Sequence, residues 1–443
     1  MVTRNSIEVS RDWEAPVPSF PEAFRFWWKL GWITFGGTAA HIAIMHDELV
    51  VNKRWIRDGE FVHALSHCMI LPGPEATQLA IYIGWKLHGR KGGIAAGSLF
   101  VLPSMFVLLA LSLLYARFGR LPGIAAMISG LRPGIVALVI LALVRVARRT
   151  LVAPLQWLIA GAAFAAMLGL HASIPSVILA AIVVGLFLGW RMPDRLRLTR
   201  KDENAPPPAG EKTWKQIFAL WAEIALAGCL LWLGPLLMLY WLAPEFGLWK
   251  QLALFFTKTA FVTVGGSYTV IPYVAHTAVT SFHWLNSSQM IDGFSLAETT
   301  PGPLIIVVAF VGFMAGFNHF QSHSPLLMGT LALCVTTFYT FLPCFLFVFA
   351  GAPLVEKSYR NRSVEAVLRT ITAVVVAAML NLTVFLGRGA LFPTDSVNRA
   401  GLDLFAVVWL LLSFILLFRY KMSVAALVSV SLVLGLGRWW LGL

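Results

Sequence analysis

One nine-residue stretch occurs twice in this chain. Lys29-Leu30-Gly31-Trp32-Ile33-Thr34-Phe35-Gly36-Gly37 returns as Lys258-Thr259-Ala260-Phe261-Val262-Thr263-Val264-Gly265-Gly266. Both copies read K-x4-T-x-G-G, 229 positions apart (29 to 258). At the same offset, Pro72-Gly73-Pro74 returns as Pro301-Gly302-Pro303, Trp55 as Trp284 and Ser66 as Ser295. The register holds from Lys29 to Pro74 without a gap. A chain built this way has two like halves, and any shared site must draw on both copies.

Composition then fixes the solvent. Of 443 residues, 58% are hydrophobic and only 12% charged, and the mean hydropathy is +0.77. Soluble domains are about one quarter charged. Apolar runs near twenty residues long point to helices that cross a bilayer. Barrel strands would be about ten residues long and alternating. The expected class is an all-α polytopic membrane protein. The net charge of +13 sits mostly in short loops, as cytoplasmic loops of membrane proteins do, so no nucleic acid partner is expected. Cys68, Cys229, Cys334 and Cys344 lie in apolar runs without CxxC spacing, which excludes a disulfide or metal framework. Residues 1–22 are polar and read as a cytoplasmic tail rather than a cleavable signal.

The first half, 23–190, has six apolar runs, at about 24–45, 61–84, 94–116, 123–144, 152–170 and 174–190. A basic, proline-rich linker follows at 191–215. The second half, 216–443, has seven runs, at 216–242, 250–272, 292–316, 326–352, 366–387, 403–418 and 422–437. About thirteen transmembrane helices result. The extra one, 216–242, precedes the repeated unit, so the second half is expected to be inverted. With the N-terminus inside, the basic loops 85–93, 145–150, 191–215, 353–365 and 419–421 are cytoplasmic. Loop 46–60 breaks the pattern, because it falls outside yet carries Lys53, Arg54 and Arg57. Loop 273–291 falls inside and carries neither Lys nor Arg. A re-entrant hairpin at 61–84, turning at Pro72-Gly73-Pro74, would put 46–60 and 85–93 on one side.

The duplicated residues suggest chemistry. Paired glycines favour an unwound turn, tolerated in lipid only against protein or a cavity, and freed N–H groups there can bind an anion. Tight helix packing is the plainer reading. Lys29 and Lys258 lie seven residues before the first glycine, two turns away on one face. They either snorkel or converge on a dianion. Thr34 and Thr263 offer hydroxyl donors, and Pro-Gly-Pro breaks its helix. Glu75 and Glu298 each lie within three residues of that break and are candidates for proton coupling. His41, with Val270 at its matched position, is a third. Arg132 and Arg369 match in Leu-Arg pairs, as an acid's partners or lining for an anion path. His63 and His67 have i, i+4 spacing, but no third ligand completes a metal site. No Walker, GxSxG or HExxH pattern is present, so neither an enzyme nor a cofactor is expected.

Phe35-Gly36-Gly37 with His41, Leu71-Pro72-Gly73-Pro74, Val264-Gly265-Gly266 and Thr300-Pro301-Gly302-Pro303 together resemble the chromate ion transporter family, in its long-chain, two-domain branch. The resemblance runs from about 22 to 437. It implies two homologous halves of opposite orientation and export of chromate driven by the proton gradient, with sulfate as a mimic. The substrate-binding set then expected is Lys29, Thr34, Gly36, Gly37, Pro72, Gly73, Pro74, Lys258, Thr263, Gly265, Gly266, Pro301, Gly302 and Pro303. The expected setting is the inner (plasma) membrane, with the N-terminus cytoplasmic, the C-terminus periplasmic and a homodimer possible. The alternatives are an importer or exchanger of sulfate or another small anion, and a membrane scaffold or lipid-modifying protein.

Overall fold

The structure, a computed structural model, describes residues 17–442 apart from 35–36, 70, 171, 192–213, 244, 264–266, 322–323, 359–361 and 393–400. Most of the linker expected at 191–215 and most of the N-terminal tail therefore lie outside the described residues. The described residues form sixteen helices and no strand. In the first half these are α1 (Phe20–Ile33), α2 (Gly37–His46), α3 (Asp58–Cys68), α4 (Glu75–Phe118), α5 (Pro122–Thr150), α6 (Pro154–Gly169) and α7 (Ile174–Arg191). Then come α8 (Trp214–Leu242), α9 (Phe246–Val262), α10 (Ser267–His276), α11 (Ser287–Glu298), α12 (Val307–His319), α13 (Pro325–Ser358), α14 (Arg362–Leu391), α15 (Leu404–Arg419) and α16 (Val424–Trp440).

Six helices are long and apolar enough to cross a membrane: α4, α5, α7, α8, α13 and α14. Shorter apolar helices α6, α15 and α16 accompany them. The chain is a multi-pass helical membrane protein in two halves.

The duplicated runs are broken helices that fold back. Ser19 caps α1, accepting from the Glu22 N–H at 3.4 Å. With 14 residues, α1 is about 21 Å long, short of the ~30 Å hydrocarbon core. It stops at Thr34, and α2 returns. The Lys53 ammonium meets Glu22 at 3.5 Å and lies 4.6 Å over the Trp55 ring, back beside the start of α1. The run 61–84 is also a hairpin, made of α3 and the first arm of α4. Glu60 pairs with Lys86 at 3.1 Å, and His88 meets the Pro18 carbonyl at 2.8 Å. Residues 18–22, 53–60 and 86–90 therefore share one face of the molecule. The structure thus takes the re-entrant alternative for 61–84 and adds a second hairpin at 24–45. The basic loop 46–60 no longer stands apart from the other basic loops.

The second half repeats this. His319 meets Glu245 at 2.7 Å, Trp249 stacks on Phe320, and the Asn318 amide donates to the Trp284 carbonyl at 2.8 Å. Residues 245–249, 284–289 and 318–320 therefore share a face too. It is the opposite one. α4 bends at His88 and Gly89, then runs about 38 Å from Arg90 to Tyr115, where Tyr115 donates to Asp292 of α11. α13 runs back alongside, with Phe349 against Gly93 and Phe345 against Gly97. α8 starts beside Arg90, through Glu223, and ends with Tyr240 on Phe246. Loop 273–291, expected on the first face, sits on the second with 317–321, and neither 273–291 nor 317–325 carries a Lys or Arg in sequence.

Backbone detail is duplicated as well. Arg54 and His283 occupy matched positions, and both are left-handed, with φ 54° and 52°. Gly73 and Gly302 also match, with φ 132° and 93°. A side chain at either is strained by about 1–2 kcal/mol. It would also strike Gln78 and Cys344 in one case and Ser104 in the other. Gly302→Ala and Gly73→Ala are therefore expected to lower the melting temperature clearly in detergent. Gly161→Ala, with no neighbour within 4 Å, should leave it unchanged or raise it. A second measurement checks the hairpins. In a chain lacking native cysteines, Lys53→Cys and Lys86→Cys should react with an impermeant maleimide from one side of the membrane, and Gln289→Cys from the other.

Candidate functional site

The ends of α1 and α9, at Thr34 and Thr263, meet the two Pro-Gly-Pro turns inside the molecule, and the backbone joins them in a reciprocal exchange. The Gly302 N–H donates to the Thr34 carbonyl at 2.7 Å, and the Gly73 N–H donates to the Thr263 carbonyl at 2.5 Å. Proline has no N–H, so each Pro-Gly-Pro has one donor, its glycine, and that donor goes to the other half. The acceptors are carbonyls where α1 and α9 end, with no partner in their own helix.

This corrects two sequence expectations. Gly73 and Gly302 do not offer their N–H groups to a ligand here. Nor are the threonine hydroxyls free donors. Thr34 donates back to Leu30 at 2.8 Å and Thr263 to Thr259 at 2.7 Å, both fully buried. Pro301 and Pro303 are buried and Pro72 is half-buried. The Gln78 amide donates to the Pro72 carbonyl at 2.6 Å, tying down that tip. Gly37 is the first residue of α2. Gly36, Gly265 and Gly266 lie outside the described residues.

The lysines are elsewhere than expected. Lys29 stands on the exposed face of α1 with Phe24, Trp28 and Trp32. Lys258 stands on the exposed face of α9 with Leu254 and Phe261. Neither is enclosed at the tips, and neither forms an ion pair among the described residues.

The acids differ from each other. Glu298 ends α11 and is 6% exposed, with no ion pair or hydrogen bond to a described residue. Glu75, half-buried, opens α4, where a carboxylate suits the helix N-terminus. His41 is fully buried on α2, edge-on to Phe100 at 5.6 Å and beside the Thr34 backbone. Neither ring nitrogen meets the distance and angle of a hydrogen bond with a described residue. Ser104 Oγ, under Gly302, is also buried and unpartnered.

Arg132 and Arg369 are each bonded to a different acid from the two candidates. Arg369 bonds Glu365 on its own helix at 3.0 Å. Arg132 makes a two-pronged pair with Asp292, Nε to Oδ1 at 2.7 Å and Nη2 to Oδ2 at 3.0 Å. Its Nη2 also donates to Ser288 at 2.6 Å, and Tyr115 donates to Asp292 at 3.0 Å. Arg132 and Tyr115 belong to the first half, Asp292 and Ser288 to the second. Sequence reasoning passed over Asp292. The signal was present, since it is the one acid in a run otherwise apolar up to Glu298, and its matched position holds His63.

Two like halves of broken helices, tip to tip within a multi-pass bundle, define a membrane protein whose centre is built from both copies of a repeat. The chain belongs to the chromate transporter family. The family profile described as "Chromate transporter" matches residues 21–189 and again 250–436. The chain is 28% identical over 425 residues to the chromate transport protein of Cupriavidus metallidurans, covering 95% of this chain and 94% of that one. It is 28% identical over 437 residues to the chromate transport protein of Pseudomonas aeruginosa, covering 96% and 93%. An uncharacterized transporter of Methanocaldococcus jannaschii is 26% identical over 421 residues, covering 94% of each chain. No solved structure matches.

Removing one partner of a buried ion pair costs about 3–5 kcal/mol. Losing an i, i+4 surface pair costs about 0.2–0.5 kcal/mol. Asp292→Asn should therefore lower the melting temperature far more than Glu365→Gln, read by thermal unfolding of the purified chain.

Proposed function

We propose that this protein is a secondary transporter that carries a tetrahedral oxyanion dianion, chromate foremost, across the plasma membrane, with the anion held where the four tips meet. The observation that carries this reading is the reciprocal exchange between Gly73 and Thr263 and between Gly302 and Thr34. It puts irregular backbone from both halves at one place, the arrangement in which transporters build midplane sites. Chain polarity adds to it. Each returning helix begins at a tip, so the N-termini of α2, α4, α10 and the α12 segment point there. N-termini carry partial positive charge and unpaired N–H groups. The N–H groups around Gly36-Gly37 and Gly265-Gly266 are the donors assigned to the anion.

The two repeats are 23–190 and 216–443, joined by the linker at 191–215 and led in the second by the extra helix α8. They are assigned opposite orientations. The first face carries the basic segments 53–57 and 86–91 and is assigned to the cytoplasm, with the N-terminus there and the C-terminus on the periplasmic side. Lys29 and Lys258, exposed about one turn before α1 and α9 end, raise anion concentration on the approaches rather than gripping the anion. Chromate moves outward, driven by the proton gradient, and Glu298 carries the proton, with His41 as the second candidate. Sulfate, alike in charge and shape, competes. The relatives' names favour transport over catalysis, and no cofactor is assigned.

The test uses everted vesicles energised with NADH, which should accumulate chromate and lose it on adding a protonophore. Glu298→Gln, held neutral, should abolish proton-driven accumulation and leave exchange of chromate for sulfate. Accumulation unaffected by the protonophore would end the proton-coupling reading. Lys29→Ala and Lys258→Ala should raise the chromate KM several-fold with kcat preserved, and the more so at low salt, because a loss confined to steering is screened.

A further inference from the structure

A cavity of about 270 Å³ opens on the second face between α5, α14, α15 and α16. Among its lining residues are Ser129, Arg132, Asp403, Phe405, Arg438 and Trp439. Its charged lining is two guanidiniums and one carboxylate. That carboxylate is committed twice. Asp403 caps α15, accepting from the Ala406 N–H at 3.2 Å, and it takes Arg438 Nη1 at 2.5 Å. The guanidiniums reach the space, with 15% of the Arg132 side chain and 32% of that of Arg438 exposed. Arg438 Cζ also lies 4.9 Å from the centre of the Phe405 ring, over its face.

The inner wall of this cavity is the cross-half ion pair. Arg132 belongs both to the lining and to the pair with Asp292. Asp292 lies six residues before Glu298 on α11, about 9 Å along the helix, on the side away from the tips. The pair therefore stands between the tips and the cavity. The first face has no counterpart among the described residues. The position matching Asp292 holds His63, and Arg369 is bonded within α14.

We propose that this cavity is an oxyanion station on the second face, and that an anion seated there draws Arg132 from Asp292 and so releases the contact between the two halves. This rests on the transport reading above and names a site it does not contain. The chemistry selects the ligand. A planar guanidinium presents paired donors that match two oxygens of a tetrahedral oxyanion, which only accepts. An anion can therefore replace Asp292 in kind, whereas a cation or an apolar molecule cannot. The shared chemistry extends to a lipid phosphate, which the test separates.

The experiment is equilibrium binding of radiolabelled sulfate to the full chain in discs of neutral phosphatidylcholine. The wild type should show two classes of site. In Arg438→Gln, one class should weaken about ten- to hundredfold, the effect of a lost charge-assisted hydrogen bond. Arg438→Lys, which keeps the charge without the fork, should recover part of it and guards against a folding artefact. Identical isotherms for wild type and Arg438→Gln would overturn the proposal. So would loss of the Arg438-dependent class in phosphatidylglycerol discs, which would assign the cavity to a lipid headgroup. In transport, Arg438→Gln should raise the KM for anion presented at the second face and leave that at the first face unchanged. Arg438-dependent binding by a chain that moves no anion would sink the transport reading while leaving the anion site standing.

Discussion

Everything central in this structure depends on two backbone hydrogen bonds that neither half can make alone. A Pro-Gly-Pro tip has one N–H, and a helix that ends at threonine has carbonyls without partners. Each half contains both the spare donor and the spare acceptor, but in places that cannot meet within that half. Joined head to head, Gly73 reaches Thr263 and Gly302 reaches Thr34. Each bond is worth about 0.5–1.5 kcal/mol net, and a buried group left unmade costs about 1–3 kcal/mol. Opening the tips in a dry interior therefore exposes two donors and two acceptors at once. Water or a ligand must take them over. This links the opening of the centre to what occupies it, with no special hinge required.

The repeat was legible because its residues have backbone jobs. Glycine at a positive φ and proline beside it admit few replacements, so the 229-residue offset survives where ordinary side chains have drifted. The hairpins were harder to see. A hydropathy window over 24–45 or 61–84 averages two half-helices into one apparent span. Lysine and arginine in loop 46–60 were the trace that charge left of the fold-back. The lysines were misplaced for a definite reason. Counting two turns from Lys29 to Gly36 assumes an unbroken helix, but α1 ends at Ile33. Register does not carry through a break, so sharing a face in sequence did not mean sharing a face in space.

What the halves share is backbone, and what they do not share is side-chain chemistry. His41 stands where the other half has Val270, and Asp292 where it has His63. At the Thr34–Gly302 crossing, two buried side chains, His41 and Ser104, lack partners. At the Thr263–Gly73 crossing, the Gln78 amide N–H secures the tip while its Oε1 is buried and has no hydrogen-bond partner among the described residues. A perfectly symmetric pair of halves would have equal energies open to either face. Here Arg132 and Asp292 pair between the halves, whereas of the matched positions Arg369 bonds Glu365 on its own helix and Asp292 is replaced by His63. The duplication supplies a centre whose backbone is common to both halves, and the few diverged side chains are what make its two faces differ.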